Sequence, residues 1–407
     1  HEGKASTQQR QMARLAGHRH EHLEAVMAQK AAPVAQRPAA NGTVARERRT
    51  MKQPGERLTI AVAGPWPPQR SGVADFTYAT ITELARLADV TVFATADADV
   101  AGNTPPGVTI ASAPLDDLYE RQGECDVVIA ILGNSHFHLP MLHLLEEIDA
   151  VVITHDTRLV ELYLSLRDRG GVENLMLRGT GRRQLSPPLD EQIDDMRLLE
   201  STAYWEVARR ATMLIAHTPT AQPRMSEETR TNVRLLPFAN YRRPSDDVIT
   251  EQMRHEARQR LGFDAGAYAN TIHLASFGFI DTRTKMNDVV LEAAAWLSQW
   301  GYRVSLHLVG SATEPVHDEL MARAQEAGLA NFEITGFVDD DTFRDYVLAI
   351  DLGVQLRISP LLGVSGPLSD MAAYGTPAVA SRGLAADVDA PEFVDRLPDD
   401  VSPVMVA

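Results

Sequence analysis

Cysteine is nearly absent from this sequence, which contains a single one, Cys125, among 407 residues. A lone thiol cannot form a disulfide within the chain, and this suits a reducing cytosol. Cys125 stands directly before the mostly apolar run of residues 126–131, a context that favours a buried structural thiol over a nucleophile. We therefore expect a cytoplasmic protein that does not use cysteine chemistry.

Long hydrophobic runs and excess positive charge are missing as well. No segment approaches the roughly 20 uncharged apolar residues that a membrane span requires, and no signal-peptide pattern begins the sequence. The formal net charge of −16 argues against a broad surface for nucleic acid, so no nucleic acid is expected among the partners. The hydrophobic content of 44% is ordinary for a globular protein, and 407 residues are enough for two domain cores.

The first 53 residues differ from the rest, because they contain ten Lys/Arg against four Asp/Glu. We interpret residues 1–56 as a basic N-terminal arm and linker, helical over about 18–30 and proline-containing over 31–55. His18 and His22 have an i, i+4 spacing that could hold a metal, but no cysteine or carboxylate accompanies them, so a solvated helix or partner-binding arm is favoured. The arm could contact a protein partner or another copy, dock another domain, or lie against anionic lipid at the inner membrane surface.

From Leu58 to about residue 240, short apolar runs alternate with helical periods. Continuous apolar strands that alternate with helices indicate a parallel sheet covered on both faces. A longer helix over 188–210 is predicted to lead into the strand 213–217. The other predicted strands are 58–63, 90–93, 108–110, 127–131, 151–154 and 233–236, and the other helices include 74–87, 139–147 and 158–166.

The polar segment 240–247 reads as a linker, after which the same arrangement restarts. The predicted strands are 272–277, 304–309, 332–335, 352–356 and 377–380, and the helices 287–299, 316–327, 341–349 and 366–374. We therefore predict an α/β fold of two Rossmann-like doubly wound parallel-sheet domains, residues 57–240 and 241–407, with a ligand in the cleft between them. The sequence ends just after the apolar segment 401–406, so the second domain is expected to lack a closing C-terminal helix.

A strand–loop–helix unit in the second half is the strongest chemical signal. The strand ends in Arg357, and a glycine- and serine-containing loop then opens the helix 366–374. Unpaired amides and the positive end of the helix dipole hold a phosphate at such a place, and the predicted amides are those of Val364, Ser365 and Gly366. Arg357 and Lys285 could add fixed positive charge. Spacing alone supports an ordinary strand–loop–helix corner with a surface arginine equally well.

Several segments, in the same order, resemble the GT-B glycosyltransferases and particularly glycosyltransferase family 4. The resemblance covers roughly residues 57–407 and lies in the segments 67–76, 133–138, 151–156, 276–279 with Lys285, 307–310, and 335–338. It implies that Gly72 lets the first strand–helix loop approach the sugar diphosphate and that Lys285 contacts the donor diphosphate. It also implies that Gly336 and Val338 lie beside the nucleoside base.

The chemistry that this resemblance implies is hexosyl transfer from a nucleoside-diphosphate sugar to an acceptor hydroxyl, with retained anomeric configuration. The nucleotide sugar is a donor substrate, so no cofactor is required, and a glycan or glycolipid acceptor in polysaccharide or glycoconjugate synthesis is expected. No metal is needed where cations and helix dipoles stabilise the leaving diphosphate.

His155 and Asp370 are the predicted catalytic residues. His155 follows the strand 151–154 and should point into the cleft to hold the acceptor or the transferring sugar, although a helix cap formed with Asp156 is the alternative. Asp370 occupies the place of the second of two glutamates that the family carries eight positions apart, and Leu362 occupies the place of the first. Arg283 could replace the arginine that the family carries five residues before its lysine.

Two other functions stay open on the sequence alone. Leu362 in place of an acidic residue is compatible with a degenerate GT-B module that binds a nucleotide sugar or a protein partner without catalysis. A sugar-nucleotide epimerase of the same fold would require paired carboxylates and histidines in the cleft.

Overall fold

A computed structural model of the chain describes residues 56–95, 104–105, 110–242, 248–358 and 363–407. By its contacts the chain separates into residues 1–54 and residues 55–407, and the described residues all belong to the second unit. The predicted arm therefore lies outside them except for Glu56, and so do His18, His22 and Leu362. None of the helices in the described part is long and apolar enough to cross a membrane.

The first α/β domain is built on a sheet of seven parallel strands in the order β3-β2-β1-β4-β5-β6-β7. The strands are β1 (Thr59–Gly64), β2 (Asp89–Ala94), β3 (Ile110–Pro114), β4 (Val127–Leu132), β5 (Ala150–Thr154), β6 (Ala211–Ala216) and β7 (Arg234–Leu235). The helices are α1 (Gly72–Leu84), α2 (Leu115–Arg121), α3 (Leu139–Glu147), α4 (Val160–Leu164), α5 (Arg169–Thr180), α6 (Leu189–Asp194), α7 (Trp205–Arg210) and α8 (Gln222–Thr229).

The central strand β1 shows why this sheet is covered on both faces. Ala61 and Ala63 belong to one buried cluster, whereas Ile60 and Val62 belong to another. Successive side chains of a strand point to opposite faces, so a strand that is apolar throughout needs a core on each side. The strand order reverses between β1 and β4, which opens a crevice at their carboxyl ends.

The second α/β domain has six parallel strands in the order β10-β9-β8-β11-β12-β13. They are β8 (Ile272–Phe277), β9 (Val304–Val309), β10 (Asn331–Ile334), β11 (Leu352–Gln355), β12 (Ala378–Ser381) and β13 (Val394–Leu397). The helices are α9 (Glu251–Leu261), α10 (Asn287–Gln299), α11 (Glu314–Glu326), α12 (Asp340–Ala349), α13 (Gly366–Tyr374), α14 (Arg382–Asp387) and α15 (Pro403–Val406). The predicted fold class of two parallel-sheet α/β domains is confirmed.

The long helix predicted over 188–210 is wrong. Helix α6 ends at Asp194 and α7 begins only at Trp205. Between them the buried carboxylate of Glu228 accepts hydrogen bonds from the Thr202 amide at 2.6 Å and the Ala203 amide at 3.0 Å. A buried charge must be hydrogen-bonded, and amides that donate to Glu228 cannot also donate within a continuous helix. The helix is therefore interrupted here, and Ala203 adopts φ +61°.

His307, which the resemblance places in a strand-end segment, turns its ring into the core of the second domain. The Nε2 atom of His307 is 3.0 Å from Nδ1 of His273. The Nδ1 atom of His307 is 2.6 Å from Oε1 of Glu333. The ring of Phe263 stacks on both imidazoles. The polar chain is satisfied internally, as buried polar groups must be, and His307 is therefore part of the domain core.

The four-residue helix α15 is the last element of the chain and packs against α10 of its own domain. This helix lies within the apolar segment 401–406, for which the sequence analysis predicted no secondary structure. Its contact with α10 explains why an apolar segment stands there.

Candidate functional site

The carboxyl ends of the two sheets meet, and the loop before α13 touches the end of β5. A Cβ atom built on Gly363 would lie 2.9 Å from the His155 carbonyl oxygen and 3.5 Å from a carboxylate oxygen of Asp156. Gly363 also has φ +83°, which favours glycine. Across the same cleft the Arg70 guanidinium lies over the ring of Phe337, 5.2 Å from its centroid. The predicted phosphate loop thus faces the predicted catalytic histidine.

Lys285 and Arg357 form a pair of cations in the second domain. They follow β8 and β11, the neighbouring strands between which the strand order reverses. Arg357 is 8% exposed, and neither side chain has a carboxylate within ion-pair distance among the described residues. Two partly desolvated cations without such a partner are unfavourable in isolation, so the arrangement favours an anion between or beside them.

Burial perturbs the pKa of both cations, and the neighbouring guanidinium adds to the effect at Lys285. Burial, and then the Arg357 guanidinium, lower the pKa of Lys285 to about 7, while Asp281 and Asp156 act in the opposite direction. Burial likewise lowers the pKa of Arg357 to about 10. A bound anion would stabilise both charged forms and raise the pKa of each group again.

The N-terminus of α13 completes the positive side of the site. Ser365 is the N-cap, and its hydroxyl accepts a hydrogen bond of 3.3 Å from the Leu368 amide. Pro367 has no amide hydrogen, so the donors available at this end are those of Gly366 and the residues before it. Amides at a helix N-terminus, together with the dipole, bind anions.

The loops that carry Lys285 and Arg357 are in contact, since the Ile358 amide donates to the Thr284 carbonyl at 3.2 Å. Asp156 is a neighbour of both cations and of Gly363 in the loop before α13. That this arrangement binds phosphate stays a prediction.

The loops after β8 and β9 are in direct backbone contact. A Cβ on Gly310 would lie 1.9 Å from the Gly278 carbonyl oxygen, and Gly310 has φ +154°. The Gly278 amide donates to the Val309 carbonyl at 3.0 Å. Only glycine permits this close approach, which packs the loop after β9 against the start of the loop that leads to Lys285.

Gly336 and Val338, predicted to lie beside the base, follow β10. Gly336 has φ +73° with open space around its Cβ direction, and its carbonyl accepts from the Thr335 hydroxyl at 2.8 Å. Val338 packs against the second-domain core, while Phe337 between them is 53% exposed. The main chain and the Phe337 ring are therefore the groups that a ligand could contact here.

The loop between β1 and α1 contains Gly72, the first residue of α1. Ser71 is the N-cap and accepts from the Ala74 amide at 3.1 Å. Nothing lies within 4 Å of the Cβ direction of Gly72. A side chain at position 72 would therefore meet no other group among the described residues, and the approach of a diphosphate to this loop stays a prediction.

His155 follows β5 directly, as predicted. Its ring packs edge-on against Phe76 at 4.8 Å and lies 4.9 Å from the ring of His217, centroid to centroid. Burial, followed by the two neighbouring histidines His217 and His138, holds the pKa of His155 well below its usual value. His155 is therefore neutral at pH 7, which suits contact with a hydroxyl group.

The alternative role of His155 and Asp156 as a helix cap is not what the structure shows. Helix α4 begins at Val160, and its N-cap position, Leu159, makes no side-chain capping bond. The Asp156 carboxylate instead accepts from the Asn134 amide at 2.6 Å.

Asp370, the second predicted catalytic residue, is buried in α13 and faces Arg242. Its carboxylate lies 3.7 Å from the Arg242 guanidinium. Burial, opposed by Arg242, raises the pKa of Asp370 to about 6. A cavity of about 1000 Å³ lies next to Arg242, and Lys285, Arg357 and His155 are not among its lining residues. Asp370 is thus coupled to the interdomain connection through Arg242, a contact that the setting of Arg242 in a polar linker concealed in the sequence.

Arg283 is directed toward the first domain rather than toward Lys285. Its exposed side chain donates to the main-chain carbonyl of Ile193. Within the described part of the chain, no group of three or more His, Cys, Asp or Glu side chains is arranged to hold a metal ion.

Two parallel α/β domains that face each other across a cleft, with the site at the strand ends, define the GT-B fold of glycosyltransferases. Solved structures with this fold are similar to the chain. Anabaena HepE in complex with UDP-glucose has a TM-score of 0.59 at 16% identity, covering 86% of this chain and 88% of that one. WaaG, a glycosyltransferase involved in lipopolysaccharide biosynthesis, has a TM-score of 0.55 at 16% identity, covering 85% and 88%.

Sucrose-phosphate synthase from Thermosynechococcus elongatus is similar too, with a TM-score of 0.53 at 15% identity and coverage of 86% and 88%. No protein-family model matches the chain, and no curated protein matches its sequence. The likeness therefore establishes the GT-B fold.

Proposed function

We propose that this protein is a retaining glycosyltransferase that moves a hexosyl group from a nucleoside-diphosphate sugar to an acceptor hydroxyl. The observation that carries the proposal is the pair of cations, Lys285 and Arg357, beside the N-terminus of α13. They stand at the strand-order reversal of the second sheet, where ligands of open α/β sheets bind. A doubly charged leaving group is the ligand that such a site stabilises best.

In the proposed reaction the bond from the anomeric carbon to the diphosphate oxygen breaks, and a bond to the acceptor oxygen forms on the same face. The acceptor proton passes to the departing phosphate oxygen. Lys285, Arg357 and the amides of Val364, Ser365 and Gly366 stabilise the charge that develops on the diphosphate. The reaction needs no cofactor and, in this proposal, no metal ion.

The other residues hold the substrates. Gly72 leaves room for the diphosphate, Gly336 and Val338 present main chain to the nucleoside, and the neutral His155 contacts a hydroxyl of the sugar or acceptor. We assign Asp370 an indirect role through its contact with Arg242. Arg283 contributes to the diphosphate site only if it leaves the Ile193 carbonyl.

The similar structures suggest which substrates to examine first. HepE is known in complex with UDP-glucose, and WaaG is involved in lipopolysaccharide biosynthesis. We therefore propose UDP-glucose as the first donor to test, and a glycan or glycolipid in polysaccharide or glycoconjugate synthesis as the acceptor class.

The function is tested by incubating the full chain with UDP-, GDP- and ADP-sugars, with and without glycan and glycolipid acceptors. We expect release of one nucleoside diphosphate, formation of a product with the anomeric configuration of the donor by NMR, and no loss of rate in EDTA. The Lys285→Met variant should be inactive, and Arg178→Met, at an exposed position on α5, should be fully active. Micromolar nucleotide binding without any release of sugar would refute the transferase.

Nucleotide affinity should depend on pH through Lys285. The pKa of its ammonium group in the free protein is about 7, and a bound diphosphate raises that pKa, so binding above pH 7 takes up a proton. Linkage then requires the affinity to fall as the pH rises from 7 to 9, by up to about tenfold per pH unit. This range lies above the second phosphate pKa of roughly 6, so the ligand itself contributes little.

Calorimetric titration with UDP at pH 7, 8 and 9, in two buffers of different ionisation enthalpy, measures both the affinity and the proton uptake. The Lys285→Arg variant keeps its charge throughout and should show a nearly constant affinity. An equal slope in wild type and variant would assign the pH dependence to other groups, of which Arg357, Asp281 and Asp156 are the neighbours.

A degenerate GT-B module that binds a nucleotide sugar or a protein partner without catalysis is the second candidate. The observation that favours it is the contact of Asp370 with Arg242, which engages the one carboxylate of α13. Under this alternative UDP binds with the same pH dependence, but no sugar is released from any donor.

We also propose a cytoplasmic location, with residues 1–53 acting as a contact for a protein partner, another copy of the chain, or the inner membrane surface. The excess of basic residues in this segment supports such a role. Chromatography and vesicle sedimentation of the full chain and of a chain beginning at Glu56 would separate these contacts.

A further inference from the structure

Arg242 lies in the segment that connects the two domains and touches carboxylates from three helices. Its guanidinium is 3.1 Å from Asp75 of α1, 3.0 Å from Asp340 of α12, and 3.7 Å from Asp370 of α13. The side chain is 19% exposed and also lies over the ring of Phe343, 5.0 Å from its centroid. One partly buried cation thus bridges the first domain to two helices of the second.

The same connecting segment holds α13 at a second point. The Asn240 amide nitrogen donates to the Ser369 carbonyl at 2.8 Å, directly before Asp370. Ser369 and Asp370 lie within the first two turns of α13, whose N-cap is Ser365. The position of the phosphate-binding helix end is therefore fixed from the interdomain segment.

The first domain reaches the same helix end through apolar contacts. Phe76, next to Asp75 on α1, stacks on Phe238 at 4.7 Å between ring centroids. Phe238 in turn lies 3.8 Å from the Cβ direction of Gly366, the first residue of α13, and the ring of Phe76 also packs against His155. Of these contacts, the one between Phe238 and α13 crosses from the first domain to the second, and it forms only when the two domains are closed on each other.

We propose that Arg242 is a positioning residue that holds the two domains closed and aligns the α13 N-terminus with His155. Its effect on sugar transfer rests on the proposed function, whereas its effect on domain closure does not. The guanidinium suits this place because its planar fork can serve several carboxylates at once, which the single ammonium group of lysine cannot do with the same geometry.

The charge balance shows why the contact is specific. Asp370 is buried, and its Oδ2 atom has no hydrogen-bond partner among the described residues, so Arg242 is the cation that compensates it. Removing one partner of a buried pair leaves an uncompensated charge. The domains can relieve that charge by separating and admitting water, and this separation is the expected response to loss of Arg242.

The test compares wild type with Arg242→Gln and Asp75→Asn in two independent measurements. The first is the distance between spin labels, one attached to each domain, or the radius of gyration by small-angle scattering, without substrate. We expect a longer distance or a larger radius in both variants. The second is steady-state transfer, in which kcat should fall at least tenfold while the Kd for UDP changes by less than threefold. Arg242→Lys should recover only part of the loss.

Matched controls exist in the same region. Arg344 and Asp341 both line the cavity next to Arg242, but they pair with each other within α12, at 3.0 Å. Arg344→Gln and Asp341→Asn should therefore leave both closure and transfer unchanged.

Asp75→Asn keeps the test decisive if Arg242→Gln fails to fold, because Asp75 is partly exposed. Unchanged interdomain distances and a kcat within twofold of wild type in the folded variants would overturn the proposal. If wild type proves inactive toward every donor, the proposed function fails, while the distance measurement still decides the role of Arg242.

Discussion

Nucleotide binding is expected to weaken at least thirtyfold when either Lys285 or Arg357 is replaced by methionine. Both are partly desolvated cations without a carboxylate at ion-pair distance among the described residues, so a bound diphosphate is their counter-charge. Truncating one partner of a buried charge pair costs about 2–5 kcal/mol, which corresponds to roughly thirtyfold to several thousandfold in Kd.

The two substitutions should also leave the free protein at least as stable as wild type. Each removes a cation whose desolvation Asp281 and Asp156 offset only in part in the absence of a ligand. Calorimetric titration with UDP, GDP and ADP measures the affinity, and thermal unfolding measures the stability. Methionine keeps an unbranched apolar chain in place of the aliphatic part of both side chains, so lost packing is kept small.

Arg178→Met is the matched control, because Arg178 is an exposed arginine on α5 of the first domain. It should bind nucleotide like wild type. If both Lys285→Met and Arg357→Met retained a Kd within twofold of wild type, the phosphate site would have to lie elsewhere. A large fall in the melting temperature of either variant would instead show that the cations are needed for the fold.

Gly310→Ala is expected to destabilise the second domain strongly. The added Cβ would lie 1.9 Å from the Gly278 carbonyl oxygen, which is main chain and cannot move aside as a flexible side chain could. Gly310 also has φ +154°, a conformation that alanine rarely adopts. Strained backbone and overpacking together cost about 3 kcal/mol or more, which lowers Tm by roughly 6–12 °C in a domain of this size.

The control for this prediction is Gly328→Ala. Gly328 also has a positive φ, +69°, but nothing lies within 4 Å of its Cβ direction. The substitution should therefore lower the free energy of unfolding only through backbone strain at this positive φ, by about 1–2 kcal/mol. Differential scanning calorimetry of both variants separates the two contributions. Equal shifts would mean that the loop of Gly278 moves freely to accommodate the new methyl group.

The sequence predicted best those elements whose own residues show the pattern of burial against the domain core. Helix 287–299 and the strands 272–277 and 304–309 have the bounds that the periodicity indicated. Each is a buried apolar run or an amphipathic helix, so its pattern reflects its own burial. The predicted helix over 188–210 failed because Glu228, which is distant in sequence, takes the amides of residues 202 and 203.

The residues of the candidate site likewise fall into those that local sequence signals indicate and those that depend on partners distant in the chain. The loop before α13 and the strand-end positions of Arg357 and His155 were readable, because glycine, serine and a terminal polar residue after an apolar strand are local signals. Arg242 was read as part of a linker, since nothing near it in sequence indicates three carboxylates from three helices. The glutamate-like role expected for Asp370 similarly depends on a partner that lies 128 positions away from it.

By itself, the sequence determined two parallel α/β domains and predicted a phosphate site with a lysine and an arginine, because apolar periodicity and helix-end chemistry are properties of short segments. Only the tertiary structure decided how the two halves meet. It showed that the cations lack carboxylates at ion-pair distance, that Gly310 rests on Gly278, and that Arg242 joins α1 to α13. These facts depend on distances between groups that are far apart along the chain, and on burial that only the assembled domains create.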